Sequence, residues 1–217
     1  MPGHCTGKLL NVVQGGGRVP HPDLYSGRVS NNRADILAAA RDVLTAHSLA
    51  DLTMRRLATE VGVRPNALYW HFPNKQSLLA ALADDILADI VEPDPNLSWD
   101  LRLEATAIGM RSSLLAVPDS AEVVSSSWAS GLSDRAIADT LATTAALGGL
   151  DQHGAQAVAT AICQLVIGMT IEEQTRAQME RLRVTGPSGR DFHAEFTDAL
   201  AVIIDGARSR ARVAGTI

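Results

Sequence analysis

The sequence predicts an all-α fold in two parts: an N-terminal three-helix unit holding a helix-turn-helix, and a larger helical unit behind it. Three observations carry this. Alanine supplies 33 of the 217 residues, apolar residues recur at spacings of three and four, and Gly and Pro gather between the periodic stretches. No stretch alternates as a half-buried strand does, and no segment repeats.

Residues 1–29 hold Pro2, Pro20, Pro22 and six of the seventeen glycines, and read as a flexible tail. Its Lys8, Arg18 and Arg28 leave two readings, plain disorder or a basic arm for backbone phosphates. Ile36, Leu37, Ala40, Val43 and Leu44 share one face and predict a helix over 31–48. Thr53 is an N-cap for a short helix through Val61, stopped by Gly62. Pro65 suits the first turn of a second short helix that reaches His71. After Pro73, Asn74 caps a longer helix with the stripe Leu78, Leu79, Leu82, Ile86 and Ile90. Pro93 and Pro95 mark the boundary between units at 30–90 and 96–212. Further helices are expected near 98–116, 119–129, 133–147, 152–182 and 190–211, about nine in all. The breaks between them are Pro118, Gly131, Gly148-Gly149 and the run 186–189.

A chain 46% hydrophobic and 20% charged is able to bury a core and is not disordered throughout. No unbroken apolar run approaches the roughly 18 residues of a membrane span, and the first residues lack a signal-peptide pattern. Cys5 and Cys163 form neither a disulfide framework nor a metal spacing. These features predict a soluble cytoplasmic protein with inert thiols. The formal charge of −5 is unevenly spread: residues 1–75 carry nine Lys/Arg against five Asp/Glu, while residues 76–217 carry ten against nineteen. That gives +4 and −9, a pointer to an anionic partner at the N-terminal end.

The helices 53–61 and 65–71, joined by a Gly-containing turn, have the size of a helix-turn-helix. Leu57, Val61 and Leu68 point toward Ile36, Val43 and Leu44, which leaves Arg64, Asn66, Ala67, Tyr69, Trp70 and His71 outside. Two aromatics and an imidazole on a short exposed helix suit a surface that meets phosphates and bases.

The stretch Leu52-Thr53-Met54-Arg55-Arg56-Leu57-Ala58, then Val61-Gly62-Val63 and Ala67-Leu68-Tyr69-Trp70-His71-Phe72-Pro73-Asn74-Lys75, resembles the DNA-binding domain of the tetracycline-repressor (TetR) family. The resemblance covers about residues 30–90. It implies that Arg55 reaches guanine O6/N7, a bidentate contact worth roughly 1–3 kcal/mol of discrimination. The alternative for Arg55 is a solvated pair with a carboxylate. Thr53, besides capping, offers a hydroxyl at a free helix N-terminus to a phosphate. Arg64 and Asn66 suit guanine and adenine, Ala67 suits a thymine methyl, and Pro65 opens the helix that presents them. Many family members carry a small capping residue where Arg64 stands. Tyr69, His71 and Lys75 match phosphate-clamping positions, which set register. Trp70 has two readings, packing beneath the recognition helix or lining the groove.

The acidic second region offers no catalytic constellation: no Glu-x-x-His pair, no Gly-x-Ser-x-Gly and no phosphate loop. His153 reads as a surface or cap-like residue and Cys163 as core. This region is similar to the C-terminal domain of the tetracycline-repressor subgroup at Ser98-Trp99, at 107–115 and at 168–174. In tetracycline-responsive members a histidine binds the drug-chelated Mg²⁺, and further histidines and an asparagine hold the drug. The matching positions here are Val91, Val124, Gln164 and Thr106, none a histidine, and an alkyl group cannot ligate Mg²⁺. Glu172 remains, as an effector contact or a surface acid. The expectation is therefore no metal, no cofactor and no Mg²⁺–tetracycline effector. In its place stands a cavity lined by Val91, Met110, Val124, Trp128 and Met169 with Thr106, Ser127 and Gln164, suited to an apolar or aromatic molecule; each residue also reads as core filling.

Helices 152–182 and 190–211 are expected to form the homodimer interface, through Ala157, Ala161, Leu165 and Gly168 on one and Phe192, Phe196, Leu200, Ile203 and Ala207 on the other, with core within one chain as the alternative for both stripes. The expected function is a ligand-responsive repressor bound to double-stranded operator DNA, with no enzymatic activity and no membrane partner. An all-α enzyme or small-molecule carrier without DNA binding is the alternative.

Overall fold

The computed structural model describes residues 32–214; the tail of residues 1–29, with its basic-arm reading, lies outside the described residues. Nine α-helices and no strand occur among the described residues. Asn32 caps α1 (Arg33–Ala46) by accepting the Asp35 N–H at 2.9 Å. Thr53 caps α2 (Met54–Val61) by accepting the Arg56 N–H at 3.1 Å. The helix stops at Gly62, whose φ of 74° favours glycine, as the Val63 N–H returns to the Ala58 carbonyl at 2.9 Å. Pro65 opens α3 (Pro65–His71), and Phe72 closes it as a wholly buried residue.

A reciprocal cap between Asn74 and Ser77 starts α4 (Lys75–Leu87). The helix ends at Leu87, so Ile90 of the sequence stripe lies beyond it, partly buried against the core. Seven of its thirteen residues are buried, because one flank packs on α1 and the others on α5 and α6. Each fully buried Leu or Ile there contributes about 1.5–3 kcal/mol. This helix belongs mechanically to both units.

The second unit comprises α5 (Trp99–Leu115), α6 (Ser120–Ser130), α7 (Ala136–Leu147), α8 (Gln152–Arg181) and α9 (Phe192–Ala214). The central α8 packs against α5, α6, α7 and α9. By length and composition one window of α8 would suffice to cross a membrane, with a mean hydropathy of 1.6 although no unbroken apolar run spans it. Val158, Ile162, Val166 and Ile167 of that window are instead buried as core. Polar ties fix the layers. Arg111 reaches Glu173 at 2.5 Å and lies over the Phe196 ring, linking α5, α8 and α9. The Gln174 amide donates to the Leu114 and Val117 carbonyls, both at 2.9 Å.

The stripe assigned to α9 for dimerisation needs correction. Phe196, Leu200 and Ala207 are buried within the chain, and Phe192 and Ile203 are half-buried. Their spacing of three and four marks the face toward α5 and α8, and periodicity alone cannot say which chain covers a face. The exposed small residues of α9 are Ala194, Ala201 and Gly206, beside Val202 at 73% exposure. On α8, Ala157, Ala161 and Gly168 are exposed, and Leu165 is half-buried against the core.

Candidate nucleic-acid interface and ligand cavities

The inner faces of α2 and α3 are fixed by Leu57, Ala58, Val61 and Leu68, all buried against Ile36, Val43 and Leu44 of α1. That packing turns the other face outward. Trp70 is 90% exposed, so the indole does not pack beneath the helix. Tyr69 is 46% exposed; Arg64, Pro65 and Asn66 are exposed, while Ala67 and His71 are half-buried.

The adjacent arginines of α2 divide their roles. Arg56 is held by Asp51 at 3.4 Å and by the His47 ring. Arg55 is exposed and has no carboxylate partner among the described residues. Thr53 spends its lone pair on the cap and still has its hydroxyl proton to donate. Lys75 donates weakly to the Leu49 carbonyl at 3.4 Å, so its ammonium is oriented but not neutralised.

A residue that sequence reading missed supports this surface. Arg33 donates to the His71 carbonyl at 3.3 Å and lies over the Phe72 ring, 4.5 Å from its centroid. It thereby satisfies the C-terminal end of α3. Its sequence signal is only an N-terminal arginine on α1, which spacing cannot connect to a residue 38 positions away.

The nine residues assigned to a ligand cavity do not meet in one place. Val91 and Thr106 line a cavity of about 350 Å³ between the end of α4, α5 and α7, with Leu87, Ile90, Pro93 and Ile137. Trp128 and Gln164 line a second, of about 210 Å³, between α6 and α8. Met110 and Val124 have no exposed surface and fill the core. Ser127 is buried, and Met169 is half-buried against the core cluster. Glu172 pairs with Arg190, which also holds Glu195, near the start of α9. Residues on one helix part company here: Thr106 lines a cavity while Met110 is core, and Trp128 lines the other while Val124 is core. Cys163 is wholly buried, and desolvation pushes its thiol up to about 11, leaving it inert. Among the described residues no cluster of His, Cys, Asp or Glu suits a metal.

Residues 36–82 match the family described as bacterial regulatory proteins, tetR family, and residues 92–188 match the tetracyclin repressor-like C-terminal domain. The chain is 30% identical over 199 residues to tetracycline repressor protein class A from transposon 1721 of Escherichia coli, covering 81% of this chain and 89% of that protein. With the class D repressor of Escherichia coli it is 39% identical over 95 residues, a match spanning 42% of this chain and 44% of the relative. Among solved structures, BioQ of Mycobacterium smegmatis superposes with a TM-score of 0.76 and 39% identity, over 82% of this chain and 98% of BioQ. A BioQ structure with its natural double-stranded DNA operator superposes at 0.69 and 37% identity, over 82% and 98%.

Proposed function

The chain belongs to the TetR family of bacterial regulatory proteins, and from that premise we propose that it is a homodimeric, ligand-responsive repressor of transcription acting in the cytoplasm. The observation that carries the reading is the outward face of α3, with Trp70 at 90% exposure, together with an exposed Arg55 on α2 that has no carboxylate partner among the described residues. Tyr69 and Trp70 together leave two neighbouring aromatic side chains exposed on one short helix, a surface suited to a partner. That BioQ is solved with its double-stranded DNA operator supports DNA as the partner of this chain.

Two copies meeting through the exposed small residues of α8 and α9 present two α3 helices about one helical turn of DNA apart, roughly 34 Å or somewhat more. The operator is then near-palindromic. Arg55, Arg64 and Asn66 read base edges, Ala67 faces a thymine methyl, and Thr53, Tyr69, Trp70, His71 and Lys75 hold the backbone and fix register. The effector is an apolar or aromatic small molecule in the cavity of about 350 Å³, a volume within the usual range for such ligands. That cavity abuts the end of α4, so filling it biases the helix that carries the reader. Moving occupancy from mostly bound to mostly free requires about 5.5 kcal/mol of differential affinity.

The test is a gel shift with DNA flanking the protein's own gene, comparing wild type with Arg55→Ala and Tyr69→Ala. Tight, salt-sensitive binding by wild type and loss in the variants is expected. Equal, weak binding by all three at every salt concentration overturns the regulator reading.

A further inference from the structure

The smaller cavity, between α6 and α8, has a chemistry unlike the larger one. It is lined by Ser125, Trp128, Ala129, Arg135, Gln164 and Ile167, and its volume is about 210 Å³. Trp128 is only 8% exposed, yet its indole Nε1 has no hydrogen-bond acceptor. A buried N–H without a partner is rare and costly, and asks what satisfies it. Arg135 lies over the Trp128 ring, 4.9 Å from its centroid, and no carboxylate pairs with it among the described residues. The lining thus collects donors: an indole N–H, a guanidinium, the Gln164 amide and the Ser125 hydroxyl. It contains no acid.

We infer that this cavity is a binding site for a small organic monocarboxylate, distinct from the effector cavity. One guanidinium matches one negative charge, and its planar fork suits a carboxylate in a bidentate pair. Trp128 Nε1 and Gln164 supply the remaining donors. Ile167, Ala129 and the indole face accommodate a compact apolar or aromatic group. The turn before α7 divides the two cavities by charge: Asp134 lines the larger one and Arg135 the smaller. A neutral apolar effector and an acid therefore bind on opposite sides of the same turn without competing for space.

The experiment is calorimetric titration of the full chain, without DNA, using benzoate, benzamide and benzamidinium, which share one shape and carry charges of −1, 0 and +1. Benzoate is expected to bind, and the cation not at all. Arg135→Gln weakens benzoate by at least tenfold, Arg135→Lys by less, and Trp128→Phe by several-fold while keeping the ring. Circular dichroism of each variant checks folding, and the wild-type comparison of the three probes stands even if a variant misfolds. Equal binding of all three probes overturns the inference. So does absence of benzoate binding, whether water alone satisfies Trp128 or the second copy seals Gln164 and Arg135→Gln then weakens the dimer. Because no DNA is present, failure here leaves the operator test unaffected, and the reverse holds.

Discussion

The Asp119 carboxylate accepts the backbone N–H of Leu49 at 2.7 Å, joining the turn between α5 and α6 to the loop between α1 and α2. Asp119 holds this position with φ at 59°, a left-handed conformation uncommon outside glycine. The same loop receives Lys75 on the Leu49 carbonyl. Asp119→Ala therefore leaves a partly buried N–H orphaned and keeps the left-handed backbone already present, at a cost of about 1–3 kcal/mol. Asp119→Gly removes the strain and loses only the bond, so it is the milder change. Urea unfolding of both variants checks the order; a more damaging glycine would contradict it.

Gly148 illustrates a second constraint. Its backbone is ordinary, with φ at −77°, but a Cβ there would lie 2.2 Å from Trp99 Cδ2. Gly148→Ala is expected to destabilise by about 1–3 kcal/mol through this overlap alone. Trp99→Leu in the same chain should recover part of the loss, which a double-mutant cycle by thermal melting measures.

On the reading face, stability and binding separate. Trp70→Ala changes the unfolding free energy by no more than about 0.5 kcal/mol, since the indole is exposed. It nonetheless weakens operator binding. Lys75→Ala lowers affinity for all sequences alike and reduces the salt slope by about one, whereas Arg55→Ala relaxes preference at one base pair. Fluorescence anisotropy across a salt series and a set of operator variants distinguishes the two.

Asp100 contributes stability that acid removes. The Ser98 hydroxyl, followed by the Arg208 guanidinium at 2.6 Å, holds its carboxyl below the ordinary value of 3.8. A depressed folded pKa means stabilisation that is fully present above the unfolded value and is lost as pH falls through the folded one. Asp100→Asn is expected to lower stability at neutral pH and to flatten the acid limb below about pH 4. Chemical denaturation from pH 3 to 7 tests this; an unchanged limb would remove Asp100 from the account.

The dimer proposal makes its own demand on α8 and α9. Ala161→Glu or Ala201→Glu places a charge on the exposed small-residue face and should yield monomers in sedimentation velocity, with operator affinity falling steeply. A charge at either site that leaves a dimer intact assigns the interface elsewhere.

The helices were legible because their ends are written in local chemistry. Thr53, Asn74 and Asp151 each cap a helix through contacts within three residues. The outward face of the α2–α3 hairpin was legible too, since Leu57, Val61 and Leu68 are buried on its inner side. Periodicity could not say what covers a face, and so the Phe196–Leu200–Ala207 stripe pointed to a partner when it packs inside. The cavities were not legible at all. Trp128 and Val91 share a domain in sequence but line different cavities, because the turn at 131–135 runs between them. Links such as Asp119 to Leu49 and Arg33 to His71 depend on the assembled fold and leave no local trace.

The exposure of Trp70 has a practical corollary. The chain's other tryptophans are Trp99, partly buried against the core, and Trp128, at 8% exposure. An indole in water emits at longer wavelength than one in an apolar setting, so the red edge of the emission spectrum belongs to Trp70. Covering that ring with a duplex shifts or quenches the red component and leaves the other two largely in place. With α3 meeting DNA as proposed, Trp70 serves as an optical reporter able to follow association in stopped flow without a label on either molecule.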